Sequence, residues 1–475
     1  MKVRVLFVLS VLSLLVSWTT SDPVLTGFLQ CLPKQPQSAY PIFEAIYTRL
    51  QIRTRSGGHD YEGLSYVSDV PFIILDMFNL RSIDIDVADE SAWVQAGATI
   101  GELYYEIANK SKVHGFPAGA CPTVGIGGHF SGGGYGPMMR KYGLTVDNIE
   151  DAKLVNVNGT ILDRNSMGED LFWAIRGGGG ASFGVILSWK IRLLPVPANV
   201  TVFNVKRTWE QGALNVIYKW QYVAPKLLDE IFIRAITRLK NSTEGKKTVE
   251  VSFVGLFLGR RDKLVPLMNE SFPELGLQLK DCFEMSWVES TLFWADQPIG
   301  TPVNFLLNRP QGPPNFFKSK SDYVKEPIPK QGIESIWQMM LKMDKVLMQW
   351  SPYGGRMSMI PEWETPFPHR DGNLFLIQYV TYWVEEGAET LKQHLGFVRK
   401  LYEGMTLYVS KSPREAFQNY RDLDIGANRQ NHTEFETAKV YGSKYFKGNF
   451  DRLIRVKVMV DPYNFFKNEQ SIPPR

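Results

Sequence analysis

The chain has 475 residues, more than one hydrophobic core usually organises, so two domains are expected. Its 44% hydrophobic and 21% charged residues are ordinary for a globular protein and argue against a disordered or fibrous chain. The net charge of +4 is small and no long basic run occurs, so no nucleic-acid partner is expected.

The N-terminus has the pattern of a secretory signal peptide, predicted to span residues 1–21. Lys2 and Arg4 precede a mainly apolar stretch, Val5 to Val16, and small or polar residues follow it. This stretch is too short for a membrane span, and no later run is long and apolar enough, so a protein without a membrane span is expected. Six Asn-x-Ser/Thr sequons favour passage through the secretory pathway: Asn109, Asn158, Asn199, Asn241, Asn269 and Asn431.

The cysteines and histidines do not form a metal-binding pattern. Cys31, Cys121 and Cys282 are odd in number and show no CxxC spacing, so neither a dense disulfide framework nor a zinc site is indicated. At least one cysteine must be free, paired between chains, or used chemically. The six histidines are scattered, and no metal is expected.

From about residue 50 to residue 197 the sequence predicts short strands and glycine-rich loops. Phe72 to Leu75 and Ala152 to Val157 read as strands, and Asn158-Gly159 predicts a hairpin turn after the second. Thr99 and Glu102 have the spacing of a capping box at the start of a helix.

From about residue 199 to residue 420 the sequence predicts a second, α+β domain. Alternating apolar residues indicate a strand at Val249, Val251 and Phe253. One amphipathic helix is predicted around Ile333 to Trp350. A second helix is predicted from a stripe of apolar residues: Leu391, Leu395, Val398 and Tyr402.

Most of the candidate functional residues lie in three glycine-rich segments. They are RSGGHDYEG at Arg55–Gly63, CPTVGIGGHFSGGGYG at Cys121–Gly136 and RGGGGASFG at Arg176–Gly184. Glycines let backbone amides approach a phosphate or a flat ring closely, although they also occur in ordinary loops. Neither the dinucleotide-binding pattern GxGxxG nor the P-loop pattern fits, so a Rossmann or P-loop fold is not indicated.

With these segments, longer strings resemble the berberine bridge enzyme-like proteins of plants, members of the vanillyl-alcohol-oxidase superfamily. The strings are SDYVKEPIP at Ser321–Pro329, PFPHR at Pro366–Arg370, NYRDLDIG at Asn419–Gly426 and VDPYNFFKNEQSIP at Val460–Pro473. The resemblance implies an α+β protein with a PCMH-type FAD-binding domain at 22–198. It also implies a substrate domain with an antiparallel sheet at 199–420, and a C-terminal segment at 421–475 that returns to the FAD domain.

The resemblance further implies FAD bound by two covalent bonds, through His59 and Cys121, with His129 hydrogen-bonded near the ribityl chain. Without the surrounding strings, a buried histidine and a buried thiol would be the simpler interpretation. The remaining residues that the resemblance places at the cofactor are Ser56, Gly57, Gly58, Asp60, Val124, Gly125, Gly128, Gly184 and Val185.

The residues implied in catalysis are Tyr61, Tyr135, Tyr420 and Gln378. Tyr420 matches the base proposed in the cannabinoid-synthase branch, and Tyr135 matches the base proposed in the monolignol-oxidising branch. A tyrosine needs a lowered pKa to act as a base at neutral pH. The monolignol-type pattern K-x-Q supplies a lysine for this, but the chain has Leu376 in its place and keeps only Gln378.

The implied function is that of a secreted oxidase of the extracellular space, the cell wall or the vacuole, and a monomer is expected. It would take hydride from an alcohol-type or alkaloid substrate, with a monolignol-like phenolic alcohol favoured, and pass electrons to oxygen with peroxide release. Val124 has the size that accompanies oxidases at the position gating oxygen. An oligosaccharide oxidase of the same family is the alternative.

A second departure from the family lies near residues 32–50. Family members carry a longer segment between the strings QCL and LQIRTRSGGHDYEG, with a cysteine that pairs with the position of Cys31. The shorter segment leaves Cys31 unpaired and removes part of the FAD cradle. A truncated, inactive relative is therefore a third alternative, and weak flavin retention is expected.

Overall fold

The computed structural model describes residues 51–241, 245–309, 315–428 and 434–475. The predicted signal peptide, Cys31, the shortened segment at 32–50 and the sequon at Asn431 lie outside the described residues.

The described chain alternates short strands with helices. The strands are β1 Gln51–Arg55, β2 Phe72–Asp76, β3 Ile83–Asp86, β4 Ser91–Gln95, β5 His114–Gly115, β6 Ile149–Val155, β7 Ile161–Leu162, β8 Val185–Arg192, β9 Leu194–Pro195, β10 Val200–Thr208, β11 Ile231–Asn241, β12 Lys247–Phe257, β13 Cys282–Met285, β14 Phe316–Val324, β15 Val346–Pro352 and β16 Phe375–Trp383. The α-helices are α1 Ile100–Lys110, α2 Ile126–Ser131, α3 Met139–Tyr142, α4 Arg164–Ile175, α5 Ala213–Val223, α6 Arg261–Ser271, α7 Trp287–Trp294, α8 Lys330–Met340, α9 Arg356–Met359, α10 Ala388–Gly404, α11 Phe435–Phe446 and α12 Phe450–Val460.

Strands from the two halves of the chain form separate sheets. Before residue 199, β3, β4, β8, β6 and β7 form a five-stranded antiparallel sheet, while β1 pairs with β2 in parallel and β5 pairs with β9. After residue 199, a seven-stranded antiparallel sheet has the order β13-β10-β12-β11-β15-β16-β14. The predicted α+β class is confirmed.

The larger sheet has one apolar face and one face that lines a cavity. Side chains alternate along a strand, so neighbouring residues point to opposite faces. Residues of the apolar face pack in a hydrophobic core with α5, α8 and α10, and include Ile233, Met348, Trp350, Ile377 and Tyr379. The intervening residues of β11, β15 and β16 face the glycine-rich segments, which places a functional surface on a rigid sheet.

The local motifs read from the sequence form as expected in two places. Thr99 and Glu102 exchange capping hydrogen bonds at the start of α1. The turn at Asn158-Gly159 joins β6 to β7, and Gly159 has a φ of 74°, in the left-handed region that favours glycine. Both the predicted helix start and the predicted hairpin are confirmed.

The helix predicted around Ile333 to Trp350 is wrong beyond its first part. Helix α8 ends at Met340, and β15 begins at Val346 after Lys345 adopts a φ of 48°. Val346, Met348 and Trp350 are buried at alternating positions, which is the period of a strand. Their apolar side chains also matched a helical stripe, because a short apolar run fits both periods.

A buried arginine joins the glycine-rich part of the chain to the larger sheet. Arg140, on α3, is only 1% exposed. Its guanidinium donates to the backbone carbonyl groups of Pro225, Leu227, Leu228, Ile231 and Tyr353. Burial lowers its pKa to about 10, so the group stays charged at neutral pH.

We expect Arg140→Met to lower the free energy of unfolding by about 3 kcal/mol or more, because several buried carbonyl groups lose their donor. Lys141→Met is the matched control. Lys141 forms a partly exposed ion pair with Glu230, and such pairs contribute about 1 kcal/mol or less. Urea denaturation followed by tryptophan fluorescence measures both variants, and equal losses would contradict the role given to Arg140.

Candidate active site

A cavity of about 620 Å³ lies between the glycine-rich segments and the open face of the larger sheet. All three glycine-rich segments contribute to its walls, and so do residues of β11, β14, β15 and β16. This size is within the range of cofactor and ligand sites.

The first two glycine-rich segments touch backbone to backbone. A Cβ atom added to Gly57 would lie 2.2 Å from the backbone nitrogen of Gly125, and one added to Gly125 would lie 2.1 Å from the nitrogen of Gly57. Only glycine allows this approach. At Gly128 an added Cβ would meet nothing within 4 Å, which leaves open space above the backbone there.

His59 and Cys121, the predicted tether residues, both face this cavity. Nε2 of His59 is hydrogen-bonded to Oγ1 of Thr123 at 2.9 Å. Withdrawal from bulk water and the positive charge of Arg309 lower the pKa of His59, so its imidazole is neutral at neutral pH. Withdrawal from water raises the pKa of the Cys121 thiol, although Arg234 opposes the shift, and the thiol is therefore protonated.

His129 also lines the cavity, with one ring nitrogen already engaged. The backbone N–H of Gly119 donates to its Nε2 at 3.1 Å. Burial lowers the pKa of His129 to about 4, so the ring is neutral and carries its proton on Nδ1. That nitrogen is the one left to donate to a ligand.

The other predicted cofactor residues lie around the same space, with one exception. Those that line the cavity are Ser56, Gly57, Gly58, Asp60, Val124, Gly125, Gly128 and Gly184. The Val185 side chain is instead buried in the hydrophobic core at the start of β8. Any contact between Val185 and a cofactor would therefore involve its backbone.

Three predicted tyrosines meet at the wall of the cavity. The hydroxyl groups of Tyr135 and Tyr420 are 2.5 Å apart, and the Tyr61 ring packs edge-on against Tyr420 with 5.4 Å between centroids. Burial raises the pKa of Tyr61 and raises that of Tyr420 well above its ordinary value. Arg234 opposes the rise at both residues, so a nearby cation favours the deprotonated form.

Gln378 joins this group, whereas Leu376 does not. Nε2 of Gln378 donates to the Tyr61 hydroxyl at 2.9 Å. Leu376 lies directly opposite Ser351 on the neighbouring strand and packs into the hydrophobic core. Because the Tyr135 hydroxyl is 3.3 Å from Oγ of Ser351, a lysine at position 376 would lie close to the tyrosine pair.

Arg234, on β11, is a functional candidate that the sequence did not reveal. Its guanidinium lines the cavity, lies 5.7 Å from the Tyr135 ring centroid and donates from Nε to Ser351 Oγ at 3.2 Å. Among the described residues no carboxylate forms an ion pair with it. Two arginines, Arg234 and Arg238, inside the mainly apolar strand IFIRAITRL were the only signal, and the sheet face of Arg234 could not be read without the strand register.

One ion pair holds the segment around Tyr61 against the segment after Tyr420, and a second holds it against β14. Asp60 accepts from Nε of Arg421 at 2.9 Å, and it also accepts from the backbone N–H groups of Glu62 and Leu64. Glu62 pairs with the buried Lys318 on β14. These contacts make the positions of the two tyrosines depend on each other.

The cavity presents unsatisfied polar atoms as well as open backbone. Within the described part of the chain, atoms without a partner include Nε and Nη1 of Arg53, Oγ of Ser65 and Oε1 of Gln418, all from residues that line the cavity. Buried polar atoms usually have a partner, so these atoms are available to a polar ligand. With the glycine cradle, they fit a large ligand that carries phosphate and hydroxyl groups, as FAD does.

The predicted sequons within the described residues lie at the protein surface. Five sequon asparagines are exposed: Asn109, Asn158, Asn199, Asn241 and Asn269. Across the described ranges, no cluster of metal-ligating side chains occurs. No helix in the described part of the chain is long and apolar enough to cross a membrane.

Comparison with known proteins gives consistent matches. Residues 40–165 match the family model of an FAD binding domain, and residues 416–473 match the "Berberine and berberine like" model. The chain is 59% identical to berberine bridge enzyme-like 4 of Arabidopsis thaliana over 428 residues, covering 90% of this chain and 80% of that protein. Berberine bridge enzyme-like 7 of the same plant is 58% identical, with the same coverage.

Solved structures agree with these matches. Berberine bridge enzyme-like 28 from Arabidopsis thaliana superposes with a TM-score of 0.87 at 50% identity, covering 93% of this chain and 91% of that one. Phl p 4, a grass pollen allergen with glucose dehydrogenase activity, superposes with a TM-score of 0.87 at 44% identity, covering 93% and 90%. The predicted PCMH-type fold is thereby confirmed.

The low pKa of His129 predicts a specific pH dependence of stability. Between its ordinary value of 6.5 and about 4, the unfolded chain binds a proton at His129 that the folded protein does not. The stability contributed by the neutral ring is therefore present above pH 6.5 and lost as the pH falls towards 4. We expect the melting temperature of wild type to fall more steeply across this window than that of His129→Gln. Parallel melting curves would contradict the assignment.

Proposed function

Because this chain belongs to the berberine bridge enzyme-like family of FAD-dependent oxidoreductases, we propose that it is a secreted oxidase of phenolic alcohols. The observation that carries the substrate class is the division of the cavity into two parts. One part holds the hydroxyl groups of Tyr61, Tyr135 and Tyr420 beside Arg234, and Tyr135 is buried. The other part lies on the sheet side, where Phe317 and Tyr382 are exposed to solvent, and its wall residues are apolar or aromatic: Phe317, Leu347, Val380 and Tyr382.

We propose that FAD is held by bonds to His59 and Cys121. Both side chains reach the same cavity from segments that touch at Gly57 and Gly125, and the neutral imidazole of His59 has a lone pair on one ring nitrogen for bond formation. Held there, FAD would supply a hydride acceptor for the alcohol carbon and a two-electron donor that reduces oxygen to hydrogen peroxide. Nδ1 of His129 is placed to donate to the cofactor.

The tyrosine pair is the proposed acceptor of the hydroxyl proton, after it has itself lost one proton; at Tyr420 burial opposes that loss and the charge of Arg234 favours it. Tyr135 and Tyr420 share a short hydrogen bond, so a negative charge on either oxygen is stabilised by the other hydroxyl. Arg234 adds a positive charge beside Tyr135. Such a fixed cation stabilises the negative charge that the tyrosine pair carries before proton transfer and the charge that develops on the substrate oxygen during it.

An oligosaccharide is the second candidate substrate, because Phl p 4 has glucose dehydrogenase activity. A sugar chain carries hydroxyl groups along its whole length, so both ends of the cavity would need polar partners. The apolar walls at Leu347 and Val380 favour a flat phenyl ring instead. Phe317 and Tyr382 could stack on either kind of ligand.

Oxygen is the proposed electron acceptor, because Val124 lines the cavity beside the tether loop. An isoleucine-to-valine variant of Phl p 4 is a glucose oxidase, whereas the parent has dehydrogenase activity. In a close-packed wall, one methylene group decides whether a small molecule can enter.

The exposed sequons and the N-terminal signal pattern support a secreted, glycosylated protein.

We expect peptide mapping of the purified protein to find one flavin joined to the peptides of both His59 and Cys121. His59→Ala should keep a flavin on the Cys121 peptide alone, and Cys121→Ser should keep it on the His59 peptide alone. Mass spectrometry after acid precipitation measures this. Folded protein with both wild-type peptides unmodified would contradict the two tethers and would favour the inactive, truncated alternative.

We expect cinnamyl alcohols to release hydrogen peroxide with a kcat/KM at least about tenfold above that of glucose and oligosaccharides, because Leu347 and Val380 offer a phenyl ring apolar contact and offer a sugar hydroxyl no hydrogen bond. A coupled peroxidase assay in air measures this.

Val124→Leu tests the oxygen gate in the same assay. The variant should keep reduction of an artificial dye and lose about tenfold in peroxide release. Faster turnover of oligosaccharides would overturn the substrate class, and equal peroxide release by the variant would overturn the oxygen gate.

A further inference from the structure

We propose that Gln349 is a positioning residue that makes the Tyr61 hydroxyl donate a hydrogen bond to the substrate oxygen. Tyr61 is then a hydrogen-bond donor, and the base is the Tyr135–Tyr420 pair. The inference rests on the proposed function of the cavity and extends it, because it gives different roles to tyrosines that line the same space.

The chain of contacts begins at a group that can only donate. A guanidinium has five N–H groups and no acceptor. Nη1 of Arg234 is 3.3 Å from Oε1 of Gln349, on the adjacent strand. The amide of Gln349 must therefore present its oxygen to Arg234, which leaves its NH₂ group facing the next residue.

That next residue is Gln378, directly opposite Gln349 in the register of β15 and β16. Nε2 of Gln349 donates to Oε1 of Gln378 at 3.3 Å. If either amide were turned over, two NH₂ groups or two oxygens would face each other. The orientation imposed by Arg234 is thus passed on to Gln378.

The NH₂ group of Gln378 is fully used. It donates to the Tyr61 hydroxyl at 2.9 Å and to Oγ of Ser319 at 3.0 Å, so each of its two hydrogens has an acceptor. Tyr61 must accept here, and its own proton has to point elsewhere. The edge-on rings of Phe317 and Tyr420 leave the cavity as the side where that proton finds an acceptor.

The guanidinium of Arg234 also makes a second contact, on the side of Tyr135. Nε of Arg234 donates to Oγ of Ser351, which lies 3.3 Å from the Tyr135 hydroxyl. The Ser351 proton is then free to stabilise a negative charge on Tyr135. A substrate oxygen would accept a hydrogen bond from Tyr61 while its own proton leaves towards Tyr135 and Tyr420, and the resulting carbonyl oxygen would keep the bond from Tyr61.

The test reverses the chain of hydrogen bonds with Gln349→Glu. A carboxylate pairs with Arg234 but cannot donate, so the Gln378 amide must turn over and present its oxygen to Tyr61. The Tyr61 proton is then used inside the protein. Two probes are compared: cinnamaldehyde, whose oxygen only accepts, and trans-β-methylstyrene, which has the same ring and no oxygen. Their dissociation constants come from flavin difference absorbance of the anaerobic holoenzyme.

We expect Gln349→Glu to weaken cinnamaldehyde about tenfold and to leave trans-β-methylstyrene within about twofold, as one lost hydrogen bond requires. Ser319→Ala removes an acceptor from the same amide without reversing it, and should change the ratio of the two constants less than about threefold. Equal effects of Gln349→Glu on both probes, or no effect on either, would overturn the proposal.

A second measurement does not depend on the substrate class. Neutron diffraction from deuterium-exchanged crystals of the holoenzyme locates the deuterons between Gln378 and Tyr61. A deuteron on Nε2 of Gln378 that points at the Tyr61 oxygen supports the proposal, and a Tyr61 deuteron that points at Gln378 overturns it. If wild type binds neither probe, the phenolic substrate class fails, while the neutron map still decides the orientation of Tyr61.

Discussion

The close approach of two glycine-rich loops is the constraint on which the rest of the site depends. Gly57 and Gly125 touch through backbone atoms alone, and a single Cβ at either position would overlap the other loop. His59 and Cys121 are carried by these two loops, so their separation is set by this contact. The two bonds that we propose from these side chains to one flat ring would require such a limited separation, because neither side chain is long enough to compensate for a shifted backbone.

The site also requires that the tyrosines keep fixed positions relative to those loops. Tyr61 and Tyr420 are far apart in sequence, yet their neighbours form ion pairs. Asp60 and Glu62 lie on the two sides of Tyr61, and Arg421 follows Tyr420. Asp60 with Arg421, and Glu62 with Lys318, form partly or fully buried contacts. Removing one partner of a buried pair leaves an uncompensated charge, which is costly, so the pairs resist separation. The loop that carries His59 therefore also determines where Tyr61 meets the sheet.

Local patterns in the sequence predicted local structure well and strand register poorly. The capping box at Thr99 and the turn at Gly159 depend only on neighbouring residues, and both form. The run from Ile333 to Trp350 satisfied a helical period and a strand period at once, and only tertiary pairing with β11 and β16 decides between them. The glycine strings located the cavity, but Arg234 and Gln349 lie on strands whose facing partners no single sequence displays.

The position of the positive charge connects these observations to the chemistry. Leu376, Ser351 and Arg234 lie side by side on β16, β15 and β11, with their side chains on the same face. The chain lacks a lysine at position 376 on one side of Ser351, and it has a guanidinium on the other side. A lysine would hold a point charge with freely rotating donors, whereas arginine holds its donors in a rigid plane. A cation at Arg234 can therefore stabilise charge on Tyr135 and also orient the amides that lead to Tyr61. A single lysine beside Ser351 would supply the charge without imposing that orientation.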